Sequence, residues 1–507
     1  MSARPVGPAA ALLTACGVLF LTFVDTTIVS AGIRDIQSDL HAGAQALQWT
    51  VNAYALVFAS LMLTAGSLGD RFGRKRLMVI GIALFVGASV LAALAPTVGA
   101  LIGARALMGV GAAASEPATL SVLRHVFPQQ RTRARAIAAW GAVAGVALAA
   151  GPVIGGVLVG LGGWRDVFWF NVAFGALMLA AAWRFLPESA DPPPGRTDLA
   201  GFVVGTAVLA CGVFATIYGE TAGYGTGWII ALFALCAVGA LVFVRLESRR
   251  EHPMLNVRYL RDPVVGGSLL VAFAVYFGVF SIFFFTVLYL QEVANYSGWH
   301  TAGQFTPMAV AIMVGSWLAG RWVGRAGART PMVIGCLLAA AGIALTHRYV
   351  GVHPPEVMLA LVLAVAGLGF GVAVVPVTSA VMGGVPARDS GMAAAATNTA
   401  RQLGAVVGVA VLGSLVNGHL DSGLRVRLTN MGVPNAFSDI VIAAVQNGSV
   451  PQGGASGSLT HSQIVDQVMG AAYAAFHDGL SVALTVSAIL LVAAAVVAAL
   501  GLRRRPA

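Results

Sequence analysis

Charge is scarce in this chain: only 10% of its 507 residues are Asp, Glu, Lys or Arg, and Lys75 is the single lysine. So few charges cannot clothe a soluble globule of this size. The cysteines are four, Cys16, Cys211, Cys236 and Cys336, all in apolar runs and without paired spacing. They read as small packing residues, not as disulfides or metal ligands. The nine histidines show no ligand spacing either. A phosphate-cradling glycine loop and a nucleophile elbow are both missing, so the sequence reads as neither an ATP-driven pump nor a hydrolase, and no metal or cofactor is expected.

What is abundant is apolar: 58% of residues are hydrophobic, 62 are glycine, and the mean hydropathy is +0.85. These values predict an all-α polytopic membrane protein. Apolar runs long enough to cross a core of about 30 Å begin near Ala10, Trp49, Leu77, Leu101, Ala136, Phe168, Leu199, Trp228, Val264, Phe305, Pro331, Val357, Ala393 and Leu480, which makes fourteen spans. None alternates in the manner of an outer-membrane strand. The first run has no small-residue cleavage site before Asp25 and is expected to stay as a helix.

Arginine sets the orientation. With both termini placed in the cytoplasm, the inner segments hold 23 of the 30 basic residues, and the outer ones hold five, Arg34, Arg165, Arg348, Arg425 and Arg427. That asymmetry predicts cytoplasmic termini. It also accounts for the sequence pI of about 10.0 through retained inner loops and anionic lipid, so nucleic-acid binding is not expected. The preference for Arg over Lys and the wealth of Ala, Gly and Val suggest a bacterial plasma membrane.

Two arginines, Arg105 and Arg401, fall inside spans, as do the acids Asp25 and Glu116. Ionisable groups at such depth are costly and are functional by default. At about 1.5 Å per residue, Asp25 lies roughly 22 Å up the first span and Arg105 roughly 24 Å above the inner edge, so the two share a level. Glu116 lies eleven residues further along than Arg105, about 16 Å away, and cannot be its partner. Pro117 follows directly, frees the carbonyl of Ala113, and implies a water-lined or protein-buried break. A buried carboxyl can take up a proton facing one side and release it facing the other. Asp25 is therefore the expected principal proton carrier, and Glu116 a second acid that shares the proton or attracts a cationic substrate. A satisfied internal hydrogen bond or snorkelling would be the plainer account of either.

The chain also repeats itself. RFGRKRLMVIG, Arg71 to Gly81, and RAGARTPMVIG, Arg325 to Gly335, both follow a glycine-bearing helix end and lead into a new span. Two related six-span bundles, 1–186 and 263–507, are expected, with two additional spans in 187–262 and an external segment, 417–477, rich in Gly, Ser, Asn and Gln. Within that segment SQIVDQVMGAAYAAF has helical apolar spacing and would lie on the outer surface, cover the exit, or simply connect.

Four stretches resemble those of the major facilitator superfamily, in its fourteen-span drug:proton antiporter branch. GSLGDRFGRKRLMV is similar to motif A, with Gly66, Asp70, Arg71, Gly73, Arg74 and Lys75 in place. GPVIGG matches the antiporter motif at Gly151, Pro152, Gly155 and Gly156, and is followed by the aromatic run WRDVFWFNV. FVDTTIVSAGI resembles the branch's aspartate motif, and SGMAAAATNTARQLGAVVGVAVLG its thirteenth span. Ser30, Arg34, Met108 and Glu116 stand where the family usually has asparagine, proline, glutamine and an apolar residue.

The resemblance implies a major-facilitator fold and proton-driven export of amphipathic or drug-like small molecules by alternating access, with the proton gradient as energy source, lipid around it, and a single chain as the working unit. A dedicated exporter of one metabolite, antibiotic or lipid, or a sensor without flux, are the alternatives. Asp70 and its basic neighbours would latch the cytoplasmic gate, unless they only obey the inside rule. Gly151 to Gly156 would make a bent, closely packed hinge or seal, or ordinary small-residue packing. Asn398, Arg401, Gln402 and Met108 are cavity candidates, or groups that lock bundle packing.

Overall fold

The computed structural model describes residues 7–190, 198–250, 253–294, 296–351, 354–431, 438 and 459–502. Among these there are helices and no strands. The order is α1 (Pro8–Ile28), α2 (Ile33–Leu40), α3 (Ala44–Phe72), α4 (Arg74–Ala93), α5 (Val98–Val126), α6 (Gln130–Gly162), α7 (Arg165–Phe185), α8 (Leu199–Ala222) and α9 (Gly227–Arg249). There follow α10 (Val257–Arg261), α11 (Pro263–Glu292), α12 (Gly298–Ala326), α13 (Arg329–Tyr349), α14 (Glu356–Gly384), α15 (Ser390–Asn430) and α16 (Leu459–Gly501).

Local chemistry sets the breaks. Proline opens α1 and α11, where a missing N–H costs nothing. Asp262 caps α11 by accepting from the amides of Val264 and Val265, and Thr97 caps α5 by accepting from Ala100 N. Gly73, at φ +107°, ends α3 and begins α4 in one residue.

Thirteen helices are long and apolar enough to cross a membrane, and α6, whose halves Gln130–Leu148 and Val153–Gly162 bend by 45°, supplies the fourteenth. Large side chains such as Leu161, Trp183, Leu199, Leu241 and Val357 stand on the outside. In water that surface would aggregate; against acyl chains it is at home.

Helices α1 and α3 to α7 pack on one another, as do α11 to α16. The two sets meet where α6 lies on α12 and α14, and where α3 and α5 lie on α15. Helix α8 rests on both α3 and α15, covering a seam between the sets, while α9 packs on α8 and is otherwise largely bare.

The segment 417–477, expected to lie on the outer surface, cover the exit or simply connect, begins and ends in helix. Helix α15 runs on to Asn430 and α16 starts at Leu459, so at about 1.5 Å per residue each exceeds 60 Å, twice the hydrocarbon thickness. The overhangs pair: Leu420, Leu424 and Leu428 pack on Ala471, Ala472 and Ala475, and Arg427 reaches Asp478 at 2.8 Å. Leucines at four-residue spacing opposite alanines give a seam that needs no bilayer. Residues 432–437 and 439–458 lie outside the described residues, as do the side chains of Arg34, Pro152 and Ser462 to Asp466.

Candidate transport site

Three clusters of polar groups sit among the helices, at three depths. The ends of the helix array can be told apart by charge: the α3–α4 junction, the start of α6 and the start of α15 share the arginine-rich end.

Nearest that end, Asp70 closes α3. Its Oδ1 accepts from Gly391 N and its Oδ2 from Met392 N, both at 2.9 Å. These are orphan amides of the first turn of α15, whose own flanking residue Asp389 provides no side-chain cap. A carboxylate from the other helix set therefore satisfies them and meets the positive end of the helix dipole. Arg74 holds Asp70 through Nε at 3.0 Å and Nη2 at 2.7 Å. Gly66, one turn before, lets the backbones touch: a Cβ there would lie 2.2 Å from that of Ala395. Gly73 brings the loop round to Glu188, which accepts from Lys75 N at 3.3 Å. Arg71 is partly buried beside them. Arg124 adds a second tie between the sets, donating to Val385 O at 2.7 Å.

Farthest from that end, Arg105 of α5 donates from Nη1 to Asp25 Oδ2 at 2.5 Å, and Asn171 of α7 donates to Asp25 Oδ1 at 2.6 Å. Arg105 Nε donates to Thr50 O at 3.0 Å, and its guanidinium lies 4.5 Å from the Tyr54 ring centroid. Asp25 and Arg105 are both 0% exposed. Met108, one turn along α5, places its sulfur 3.9 Å from Arg105 Nη1. The structure thus brings together the two residues that depth counting put on one level, and adds Asn171 and Tyr54, which sequence reasoning missed. A lone asparagine in the apolar run VFWFNVAFGAL was the available signal for the first.

The glycine motif of α6 docks beside this cluster. A Cβ on Gly151 would sit 1.9 Å from Thr27 Oγ1, and one on Gly155 would sit 2.6 Å from Ile28 O, whereas Gly156 faces open space. Pro152 has no N–H for Leu148, and the freed carbonyl of Leu148 accepts from Thr27 Oγ1 at 3.3 Å. The bend in α6 is therefore tied to α1 two residues beyond Asp25. Outside the spans at this end, Asp39 of α2 accepts from Arg165 at 2.5 Å and from Trp164 Nε1 at 3.1 Å. Those two bonds hold its carboxyl below the usual range.

Between these levels lies the third cluster. Counted from the arginine-rich end, Glu116 is ten residues up α5, Trp140 ten up α6 and Arg401 eleven up α15, all roughly 15 Å deep. Glu116 is 1% and Arg401 2% exposed. Arg401 Nη1 donates to Asn398 Oδ1 at 3.0 Å and Nη2 donates to Thr378 Oγ1. Its guanidinium lies 5.1 Å from the Trp140 ring and 5.4 Å from that of Tyr276. Trp140 Nε1 donates to Thr119 Oγ1 at 3.0 Å, and that hydroxyl donates to Glu116 O at 2.6 Å. Gln402 is buried next to Arg401. Among the described residues no group of His, Cys, Asp and Glu could hold a metal ion.

Paired membrane-spanning sets that meet at a midplane cluster of buried charge form the architecture of secondary transporters. Residues 15–409 match the family model of the Major Facilitator Superfamily. The chain belongs to that superfamily. It is 33% identical to the drug efflux pump JefA of Mycobacterium tuberculosis, covering 98% of each chain. It is 31% identical to the tetracenomycin C resistance and export protein of Streptomyces glaucescens, over 96% of this chain and 90% of that one. The solved structure of a bacterial homologue of the human lysosomal transporter Spinster, inward-facing and occupied, shares the fold at a TM-score of 0.60 with 17% identity, over 99% of this chain and 97% of that one. The chain is a multi-pass membrane protein of the transporter type.

Proposed function

We propose that the protein is a proton-driven exporter of drug-like or antibiotic-like small molecules, working by alternating access with the arginine-rich end in the cytoplasm. The observation that carries this reading is the buried Asp25–Arg105–Asn171 cluster beside a proline-bent helix, in a chain whose relatives are named as drug efflux pumps and an antibiotic export protein. The bundles 1–186 and 263–507 act as the two rocking bodies, with 187–262 as a flank over their seam and 417–477 as an external extension.

A role follows for each cluster. Asp25 carries the proton: protonation removes its charge, releases Arg105 from its ion pair, and so links the proton to a rearrangement of α1 against α5. The bend at Gly151 and Pro152 transmits that movement, since α6 is bonded to α1 through Thr27. Asp70 latches the cytoplasmic end in one conformer, because its hydrogen bonds to the α15 amides exist only while α3 and α15 are together. Glu116 faces the second bundle and sees each change of state. The single chain with its lipid shell is sufficient for this cycle, since one chain supplies the residues of all three clusters.

The driving force is adequate: each proton crossing 100 mV supplies about 2.3 kcal/mol before any pH difference is counted. The test is purified protein in proteoliposomes with an imposed pH gradient and a fluorescent aromatic drug. Gradient-dependent accumulation that collapses with a protonophore is expected. Movement at full rate with gradient and voltage collapsed would refute proton coupling, and no movement at all would favour a sensor.

A further inference from the structure

The midplane cluster gathers unused hydrogen-bonding groups from both helix sets, whereas Arg105 Nη2 and Asn171 Oδ1, also without partners, both lie within the first set. Glu116 Oε2, Arg401 Nε, Asn398 Nδ2 and Tyr276 Oη are all buried and have no partner among the described residues. Glu116 and Arg401 are also not joined: no ion pair within 4.0 Å links them, although both are buried at one depth. An acid on one bundle and a base on the other thus stand at one depth with no ion pair between them. The indole of Trp140 and the phenol of Tyr276 lie against the base.

Four orphan polar atoms in one buried place cost free energy, because each forgoes the hydrogen bond it would make with water. Such a cost is tolerated where a ligand completes the bonds. Two of the orphans, Arg401 Nε and Asn398 Nδ2, are donors only. Their complement is an oxygen acceptor: a carbonyl, a phenolate or a carboxylate. Glu116 Oε2 complements a hydroxyl or an amine. Trp140 and Tyr276 surround the base with aromatic surface, the kind of wall against which an aromatic ring system packs.

We infer that the Glu116–Arg401 level, where the two helix sets meet, is a recognition site for flat aromatic compounds carrying oxygen acceptors beside hydrogen-bond donors, such as hydroxylated quinones, in preference to bare lipophilic cations. This deepens the export reading and rests on it. The attraction for cations that Glu116 alone would exert is offset by Arg401 at the same level. A cation without acceptors leaves both donors unfilled, and a site built of buried donors discriminates strongly against ligands that leave them unpaired. Arg401 is held in place by Asn398 Oδ1 and Thr378 Oγ1, so the position of its Nε is fixed before any ligand arrives.

The probes are alizarin, a hydroxyanthraquinone, and ethidium, an aromatic cation without oxygen. Initial rates of uptake into inside-out vesicles are taken for both in the same preparation, so that expression and folding cancel in their ratio. In the wild-type protein the ratio should favour alizarin. Arg401→Gln should lower the alizarin-to-ethidium ratio by about tenfold or more, chiefly through alizarin. Asn398→Leu, which removes a donor at similar volume, should shift the ratio in the same direction, and it decides the matter if the Arg401 variant does not fold. A ratio unchanged in both variants, or a wild type that prefers ethidium, overturns the inference while leaving export intact. A wild type that moves neither probe under the gradient instead defeats the export reading.

Discussion

The two buried acids of the first bundle invite comparison. Asp25 has both carboxylate oxygens engaged, by Arg105 and Asn171, and all of its partners belong to its own bundle. Glu116, on the same helix as Arg105, has an oxygen without a partner and looks across to the charge of the other bundle. In the proposed transport cycle the difference would separate two tasks. A group satisfied within one rigid body keeps its surroundings while the bodies rock, and changes only when its proton does. A group poised between bodies would change its surroundings whenever they move, and on that reading it would sense the conformer and the cargo.

The sharpest way to break this comparison is to remove each charge at constant shape. Asp25→Asn leaves Arg105 buried without a counter-charge, which costs about 3–5 kcal/mol. Gradient-driven export should fall about 100-fold or more, and thermal inactivation of the detergent-solubilised protein should come markedly earlier. Glu116→Gln removes no hydrogen bond to Oε2, so stability should change by less than about 1 kcal/mol while the choice of substrate shifts. Equal losses of stability in the two variants would mean that both acids are structural.

A smaller effect is expected at the latch. Asp70→Asn removes the charge that caps α15 and pairs with Arg74, an interaction worth about 1–2 kcal/mol, or roughly tenfold in the balance of conformers. Cysteine labelling of a residue at the α3–α15 contact, such as Ala395→Cys, should become about tenfold faster in the Asp70→Asn background. Unchanged labelling would mean that the Asp70 bonds follow closure without favouring it.

How much of this was legible beforehand depends on the range of the interaction. Hydropathy gave the fourteen spans, because the bilayer imposes one length on every helix. Counting residues along α1 and α5 set Asp25 and Arg105 at one level, because the rise of a helix is constant. Asn171, Trp140 and Tyr276 obey no such rule. They come from helices far apart in sequence and meet through lateral packing, which depth arithmetic cannot see. At 417–477 the helical spacing of SQIVDQVMGAAYAAF was legible, but the continuation of α15 and α16 beyond the membrane thickness and their pairing through leucine and alanine were not. The orphan atoms around Arg401 were beyond sequence reasoning altogether, since an unfilled hydrogen bond exists only in three dimensions.

The smallest predicted effect sharpens the comparison most, because it asks whether the Asp25 cluster communicates with the bend in α6. Pro152 withholds an N–H from Leu148, and Thr27 supplies the hydrogen bond instead at 3.3 Å. Thr27→Val should strand that carbonyl at a cost of about 1 kcal/mol and slow proton-driven exchange severalfold. Pro152→Ala returns an amide to Leu148 and straightens the route for α6, so it should lessen the Thr27→Val defect in stability. Transport should nevertheless stay slow in the double variant, because a straightened α6 no longer depends on α1. A double-mutant cycle on thermal inactivation and export rate separates these outcomes. Strict additivity in both measurements would show that Thr27 and Pro152 act independently and that the bend in α6 does not couple Asp25 to the rocking of the bundles.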